Sequence, residues 1–427
     1  NIGCAPLPWT IPAPRAMLTN KKIELLNSNI SHYQMMVDLQ RKWKQWSSAK
    51  PSIFVSYNGH AFDEELVRRQ FWLNLLEPYT TNTNGNGRLD LMLMIHNIAS
   101  FFSKEISMPL FDGGPGISYK LEHLAKEHQI NAEDAHDAIA DCNLMISLCE
   151  IIKDKLPDVF QSFVNTSTKQ GIKELLYSDS FLALGEIHRR HTFQYPVVFC
   201  GSDPSRPNEI VLFDLSYDPE DILDLDYSEI SKLIQAKGRD GPLKKYKINK
   251  TIPVCPSQLV KNKEIFDISF QELQERADKV TNDKDFQSKI SQAMEDRMMS
   301  FPEPEFIEAS IYSGGFPSQR DKDLMQEFHL TENKDHLIKI SRNFEDDRFK
   351  IFAERIICAQ YAPDVPEDIN VRYNELLQER TTTDGKWGSI TKSIIEIDEM
   401  LEKDISDEDC KILKATKNKL SSMVVGD

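Results

Sequence analysis

Several features that would mark a membrane, secreted or disulfide-linked protein are missing from this sequence. No apolar run approaches the roughly eighteen residues needed to cross a bilayer, and no signal-peptide pattern follows Asn1. The seven cysteines are an odd, scattered number without a CxxC pair, which argues against a zinc ribbon and a disulfide framework. We therefore expect a globular, cytoplasmic protein with reduced thiols and no membrane contact.

Positively charged residues are outnumbered by negatively charged ones. The chain has 51 Lys and Arg against 67 Asp and Glu, a net charge of −16, which works against binding nucleic acid over the whole surface. Any such binding needs a locally basic groove or bound cations. The segment KGRDGPLKKYKINK (237–250) is a candidate for that groove, although a run of like charge is usually a solvated surface.

The 427 residues are enough for two or three domains. Residues 1–152 alternate strand-like and helix-like segments, which indicates an α/β domain. Residues 157–303 hold short strands between turns and then a helix-rich stretch. After the proline-rich FPEPEF (301–306), residues 305–427 predict a helical domain. In the first region we predict a strand at 52–58 and helices at 61–76, 88–102, 119–129 and from about Ala135.

The segment NAEDAHDAIADCNL (131–144) places His136 five residues before Asp141 at the start of a helix. In regular helix these side chains diverge by about 140°, so they share a site only if His136 lies at the loop end and leans back. Taken alone, the segment fits a solvated first turn, where acids suit the helix dipole. The predicted apolar face, with Asp141 at its edge, consists of Ala138, Ile139, Cys142, Ile146 and Cys149.

A second segment, YNGHAFDEEL (57–66), places Asn58 at the end of a strand and Asp63 in the first turn of the next helix. An amide and a carboxylate with this spacing face the crevice beyond the carboxyl end of the strand, where α/β sheets hold their sites. We expect Phe62 to anchor the turn in the core. The alternative is an ordinary acid at a helix N-terminus.

Together, Asp63, His136 and Asp141 resemble the second and third motifs of the DEDDh 3′-to-5′ exonucleases. Within that superfamily, YNGHAFDEELVRRQFWLNLLEPY and YKLEHLAKEHQINAEDAHDAIAD are similar to the bacterial exodeoxyribonuclease I family. Weaker similarity continues in YKINKTIPV, IYSGGF and DDRFKIFAERI. The resemblance implies an RNase H-like exonuclease domain (1–152), an SH3-like β-barrel domain with helical insertions (157–303) and an all-α C-terminal domain (305–427).

The resemblance also implies a metal-dependent reaction that releases 5′-mononucleotides from single-stranded DNA in repair and recombination. Two Mg²⁺ ions, for which Mn²⁺ is the expected substitute, serve the attacking and leaving oxygens, and Mg²⁺ prefers carboxylate ligands. By this resemblance Asp141 ligates one metal directly and Asp63 holds the second, largely through water. His136 is the general base, because imidazole titrates near neutral pH.

One departure from the family concerns its first motif, an Asp-x-Glu on the first strand. Before residue 60 the only acids are Glu24 and Asp38, and neither lies in such a motif. The segment CAPLPWTIPAPRAML (4–18) is similar to family sequence that follows the first three strands. We therefore expect the given sequence to begin partway through the domain, about forty to fifty residues late.

Three further residues match DNA-contacting positions of the family. Lys120 opens a helix where the family has a basic residue near the terminal phosphate, although a solvated lysine is the alternative. Arg68 and Tyr79 are the other two, and each is open to a purely structural role. A tyrosine can stack on a base regardless of sequence, with about 1–3 kcal/mol per base.

The resemblance implies two partners for a monomeric enzyme: single-stranded DNA and the C-terminal tail of single-stranded DNA-binding protein. Two other functions stay open. A DEDDh enzyme acting on RNA shares the motifs but is usually one compact domain. A catalytically inactive single-strand-binding scaffold is consistent with the missing Asp-x-Glu. Comparing cleavage of DNA and RNA oligonucleotides separates the two enzymes, and tight binding without metal-dependent cleavage would identify the scaffold.

Overall fold

The computed structural model describes residues 3–7, 9–10, 12–20, 23, 28–130, 138–236, 238, 240–297, 303–383 and 388–423. The chain forms two compact units. The first comprises Asn1–Gln45, Val67–Pro78 and Glu303–Asp427, and the second comprises Trp46–Leu66 and Tyr79–Pro302. Within the described ranges, no helix has the length and apolar character that crossing a membrane requires.

The elements follow one another with few long connections. The helices are α1 Pro14–Asn20, α2 His32–Trp46, α3 Asp63–Leu73, α4 Leu91–Phe101, α5 Leu121–Glu127, α6 Ala138–Lys155, α7 Pro157–Asn165, α8 Lys169–Ser178, α9 Tyr227–Gln235, α10 Phe270–Asn282, α11 Lys284–Glu295, α12 Gln319–Leu330, α13 Lys334–Asn343, α14 Asp347–Tyr361, α15 Glu367–Thr382, α16 Ile390–Leu401 and α17 Asp407–Met423. The strands are β1 Ile53–Ser56, β2 Gly87–Asp90, β3 Leu182–His188, β4 His191–Ser202, β5 Glu209–Asp214, β6 Leu243–Lys247 and β7 Val254–Pro256.

A parallel pair of strands, β1 and β2, organises the first part of the second unit, with Ser56 opposite Asp90 at its carboxyl end. The predicted helix at 88–102 is therefore wrong in its first three residues, which belong to β2. Asp90 ends the strand and caps α4, because its Oδ1 accepts a hydrogen bond from the Met92 N–H at 3.2 Å. The strand at 52–58 and the helices at 61–76 and 119–129 are confirmed as β1, α3 and α5.

Helix α6 buries a different face from the predicted one. Leu144, Leu148 and Ile152 point into the core, whereas Ile139 and Ile146 are exposed. The three buried residues repeat every four positions and are all large aliphatics, whereas the predicted face alternates two isoleucines with smaller alanine and cysteine side chains. The expected anchoring of Phe62 is also wrong, since its side chain is 65% exposed.

An antiparallel sheet of five strands in the order β6-β5-β4-β3-β7 follows in the same unit. Apolar clusters cover both of its faces, one with α9, α10 and α11, and the other with α8. The strand-like segments PVVFCG (196–201) and EIVLFDLS (209–216) correspond to β4 and β5, whereas the single segment YKINKTIPVCP (246–256) is divided between the end of β6 and β7. Strand β3 was not predicted, because its sequence LALGEIH combines alanine and glycine with leucine and owes its extended form to pairing with β4 and β7.

In the first unit, the regular secondary structure of the described residues is all helical. Trp72 of α3 packs against Phe349 and Phe352 of α14 in its main core. Glu308 is buried between Arg355 and Arg380, at 2.7 and 3.0 Å. The predicted helical character of residues 305–427 is confirmed in this part of the chain.

Candidate active site

The loop between β1 and α3 is fastened to the end of β2. Asn58 adopts a left-handed backbone (φ 60°), which asparagine tolerates better than most residues. Its N–H donates to Asp90 Oδ1 at 2.7 Å, and the His60 N–H donates to Asp90 Oδ2 at 3.3 Å. Burial raises the pKa of the Asp90 carboxyl, while His60 and these donors act in the opposite direction. Asp90 thus fixes the loop that precedes Asp63.

Asp63 lies at the first position of α3, exposed to solvent, with its carboxylate turned towards Gly59. A Cβ built on Gly59 would lie 2.2 Å from Ser56 Oγ and 3.5 Å from Asp63 Oδ2, so only glycine fits there. The Ser56 hydroxyl is buried and has no hydrogen-bond partner among the described residues. A carboxylate beside an unpaired buried hydroxyl is a place where a water or another polar ligand fits.

His60 links this loop to α3 and to a distant segment. The Thr251 N–H donates to His60 Nε2 at 2.9 Å, so Nε2 bears the lone pair and Nδ1 carries the ring proton. That Nδ1 lies 2.9 Å from Glu64 Oε1. Glu64 also accepts from the buried Arg88 guanidinium. Burial acts to raise the pKa of Glu64, but the His60 and Arg88 contacts outweigh it and lower that pKa.

The distant segment is Asn249–Thr251, between β6 and β7. Lys250 Nζ donates to the His60 carbonyl at 3.0 Å, and Arg88 donates to the Asn249 carbonyl. No sequence pattern singles out His60 or Arg88, because the contacts that tie them to this segment join residues at least 161 positions apart. The loop that carries Asp63 is therefore held from two sides, by β2 and by this segment.

Asp141 lies in the first turn of α6 and is half-buried. It precedes Leu148 by seven residues, or close to two full turns, so it shares the helix face that packs on the core. That core includes Leu89 of β2 and the partly buried Tyr57. Asp141 thus faces the same side of α6 as its buried stripe, rather than the edge of the predicted one. His136 lies outside the described residues.

Lys120 and Tyr79 occupy the second unit as well. Lys120 is the N-cap of α5, with a 63% exposed side chain and Nζ at 3.4 Å from Glu122 Oε1. Such an exposed pair contributes at most about 1 kcal/mol, so it leaves the lysine able to meet a phosphate. The preceding Tyr119 carbonyl accepts from the Tyr57 hydroxyl, which ties α5 to the end of β1. Tyr79 is half-buried at the start of a 3₁₀ turn, Thr80–Asn82.

Arg68 belongs to the first unit. Its Nη1 donates to the Tyr312 hydroxyl at 2.9 Å, and the Arg69 guanidinium lies 5.6 Å from the centre of the same ring. Tyr312 is 57% exposed. No local spacing links positions 244 residues apart. The one signal for Tyr312 was its place in IYSGGF, a segment that resembles the family.

Among its described residues, the basic run 237–250 is occupied by contacts within the protein. Lys244 is buried 3.4 Å from Asp214, and its Nζ lies 3.9 Å from the Tyr195 ring centre. Lys245 donates to the Ile234 and Ala236 carbonyls. Lys247 pairs with Glu209 at 3.2 Å. These lysines therefore serve the sheet, rather than an open basic groove.

The donor chemistry at Asp63 and Asp141 suits a hard divalent cation, because carboxylate and hydroxyl oxygens are its preferred ligands. Across the described ranges, however, no three or more His, Cys, Asp or Glu side chains are grouped so as to hold a metal ion. The assignment of Asp63 and Asp141 as metal ligands therefore stays a prediction.

Two family models match the chain. The model of the exonuclease I SH3-like domain matches residues 174–296, and that of the exonuclease I C-terminal domain matches residues 305–421. Together they span more than half of the 427 residues. The predicted domain limits at 152, 157, 303 and 305 stay a prediction.

Curated and solved relatives agree with these models. Exodeoxyribonuclease I of Haemophilus influenzae is 25% identical over 335 residues, which cover 74% of this chain and 69% of the relative. Escherichia coli exonuclease I, solved with a dA16 oligonucleotide, is 19% identical and matches 99% of this chain and 91% of its own with a TM-score of 0.78. An exonuclease I solved in complex with SSB-Ct, also 19% identical, covers 99% of this chain and 90% of its own with a TM-score of 0.75. The predicted fold class is confirmed.

Proposed function

We propose that this chain, which belongs to the exonuclease I family, degrades single-stranded DNA from the 3′ end to 5′-mononucleotides, in DNA repair and recombination. The membership makes it a nuclease. The observation that supports this substrate is the likeness, over nearly the whole chain, to an exonuclease I solved with an oligonucleotide. The carboxylate of Asp63 beside the unpaired Ser56 hydroxyl supports the position of the site.

The residues of this chain divide the chemistry among them. Two Mg²⁺ ions, or Mn²⁺ in their place, would stabilise charge on the attacking and leaving oxygens. Asp141 and Asp63 would hold these ions through their carboxylate oxygens, the donor type that Mg²⁺ prefers. His136 accepts the proton of the attacking water, because its neutral imidazole has a lone pair to receive it. The hydrogen bonds from the Asn58 loop to Asp90 keep Asp63 in place while the DNA strand moves through the site.

The other three predicted residues bind the strand. Lys120 neutralises a phosphate near the 3′ end of the strand. Its exposed ammonium can do so because its pairing with Glu122 is a weak surface contact. Tyr79 stacks on a base. Arg68 contacts the DNA together with its hydrogen-bonded neighbour Tyr312. We further propose that the enzyme acts as a cytoplasmic monomer and binds the C-terminal tail of single-stranded DNA-binding protein, as the complex with SSB-Ct suggests for a relative.

The polarity is tested with the protein expressed from its complete reading frame and a labelled single-stranded oligonucleotide. A block at the 3′ end should protect the strand, whereas a block at the 5′ end should leave the rate unchanged. Blunt duplex should be degraded far more slowly. Cleavage from the 5′ end, or equal rates on duplex and single strand, would contradict the proposal. An RNA strand of the same sequence tests the RNA alternative.

The site is tested with Asp141→Ala, which should abolish cleavage and leave DNA binding intact, because the strand is held mainly by other contacts. Asp154→Ala removes the same charge from the exposed last turn of the same helix and should keep the normal rate. Near-normal turnover in Asp141→Ala would refute the assignment. Tight binding without cleavage by the unsubstituted protein would identify a scaffold instead.

A further inference from the structure

The hairpin between β3 and β4 ends in four consecutive basic or imidazole side chains, His188, Arg189, Arg190 and His191, here called the hairpin tip. His188 pairs with His191, so the two arginines form a two-residue turn. All four residues are exposed. In a chain with a net charge of −16, neither arginine has an acidic partner among the described residues. The hairpin tip is thus an unmatched positive patch.

The backbone of the turn makes this composition costly. Arg189 and Arg190 have φ of 47° and 70°, both in the left-handed region. A two-residue hairpin with positive φ at both positions favours Asn-Gly, since larger side chains are strained there. Two adjacent arginines are therefore unfavourable in this turn, and the folded protein supplies neither of them with an acidic partner among the described residues. Strain of this kind at an exposed position points to a ligand that the side chains serve.

Contacts of the turn fasten it to the segment that precedes Lys120. The Ile117 N–H donates to the Arg190 carbonyl at 3.0 Å, and the Arg190 guanidinium lies 3.2 Å from the Phe111 ring centre. Lys120 follows Ile117 by three residues, and three residues of extended chain span at most about 10 Å. The hairpin tip is therefore anchored on the segment that leads to the lysine proposed to meet the terminal phosphate.

We propose that the hairpin tip binds the phosphate backbone of the single-stranded substrate a few nucleotides before its 3′ end. Arginine suits this role because its planar fork pairs with phosphate oxygens, and the imidazoles can donate further hydrogen bonds. This inference rests on the proposed function, since a strand entering the site must pass near the segment that ends at Lys120. The contact is to phosphates, so it carries no base preference.

The test replaces the turn with the sequence that its backbone prefers, Arg189→Asn with Arg190→Gly. This variant should unfold at a temperature equal to or above that of the parent, because it relieves the left-handed strain. Binding to a fluorescent oligo-dT strand is measured by anisotropy at several salt concentrations, with EDTA present to prevent cleavage. The affinity should fall about tenfold at ~0.15 M salt, and the slope of log K against log salt should decrease by about 0.7 per lost phosphate contact.

The matched control removes two exposed arginines elsewhere, Arg320→Ala with Arg342→Ala, which pair with carboxylates on the helical surface. It has the same net charge as the turn variant and should bind like the parent. Equal affinity and salt slope in the two variants would overturn the inference while leaving the proposed function intact. If the parent itself binds no single strand, the proposed function fails and the inference falls with it.

Discussion

Two basic regions of the second unit differ in whether their positive side chains have partners within the protein. The lysines of β6 lie among carboxylates, carbonyls and an aromatic ring. The arginines of the hairpin tip are exposed and have no acidic partner among the described residues, and the Arg190 guanidinium lies over the Phe111 ring. Both regions look alike in composition, and the longer one was the candidate groove. The comparison shows that a positive side chain is available to a ligand only when the fold has not already supplied its counter-charge.

The largest effect is expected for Lys244→Ala, which leaves the buried Asp214 carboxylate unpaired. The free energy of unfolding should fall by about 3–5 kcal/mol, the usual loss when one partner of a buried pair is removed. Denaturant titration measures this loss. Affinity for single-stranded DNA, measured below the unfolding transition, should not change. Weaker DNA binding without loss of stability would mean that Lys244 serves the DNA rather than the fold.

The pH dependence of the same variant follows from Asp214. Burial raises the pKa of this carboxyl in the folded protein, and Lys244 opposes that shift. Removing the lysine raises the pKa further, so the folded variant takes up a proton before the unfolded chain does. Its stability therefore recovers as the pH falls through that pKa. The stability gap from the parent should be widest near neutral pH and narrow towards about pH 4.

A smaller effect is expected for Lys247→Ala, the matched control on the same strand. Lys247 is 52% exposed, and Glu209 keeps a second partner in Arg297. The free energy of unfolding should change by at most about 1 kcal/mol, and the salt dependence of DNA binding should stay unchanged. A loss as large as that of Lys244→Ala would mean that exposure does not separate the two lysines.

The smallest effect is expected for Arg189→Lys in the hairpin tip. The positive charge remains, so the salt slope of DNA binding should equal that of the parent. Affinity should fall less than about threefold, because only the planar fork is lost. If this variant bound as weakly as the Asn-Gly turn, shape rather than charge would explain the contact.

Local patterns were sufficient for much of the fold. Strand β1 and helix α3 were predicted because Asn, Gly and Asp mark the boundary between a β-rich segment and a segment with helical periodicity. Strand β2 was missed because RLD continues into the apolar run of α4, and only its pairing with β1 makes it extended. The buried face of α6 was also missed, since the choice between leucines and smaller residues depends on the core opposite. Long-range pairing, absent from local patterns, decided both.

The candidate site divides in the same way. Asp63 and Asp141 could be selected from short motifs, because residue type and position relative to a helix start are local properties. His60, Arg88 and Tyr312 could not, since each has a partner at least 161 residues away in sequence. The two arginines of the hairpin tip were visible in the sequence, but their exposure and left-handed backbone were not.

The contacts of Asn249–Thr251 with the Asn58 loop bear on how such proteins can be recombined. A chimera that joins residues 1–173 of this chain to an SH3-like domain from a relative would exchange Thr251 but keep His60. Unless the new domain donates an N–H to the same imidazole nitrogen, His60 and Glu64 would be buried with an incomplete set of partners. The natural crossover point therefore lies outside the segment from β1 to β7, and these residues should be inherited as one block.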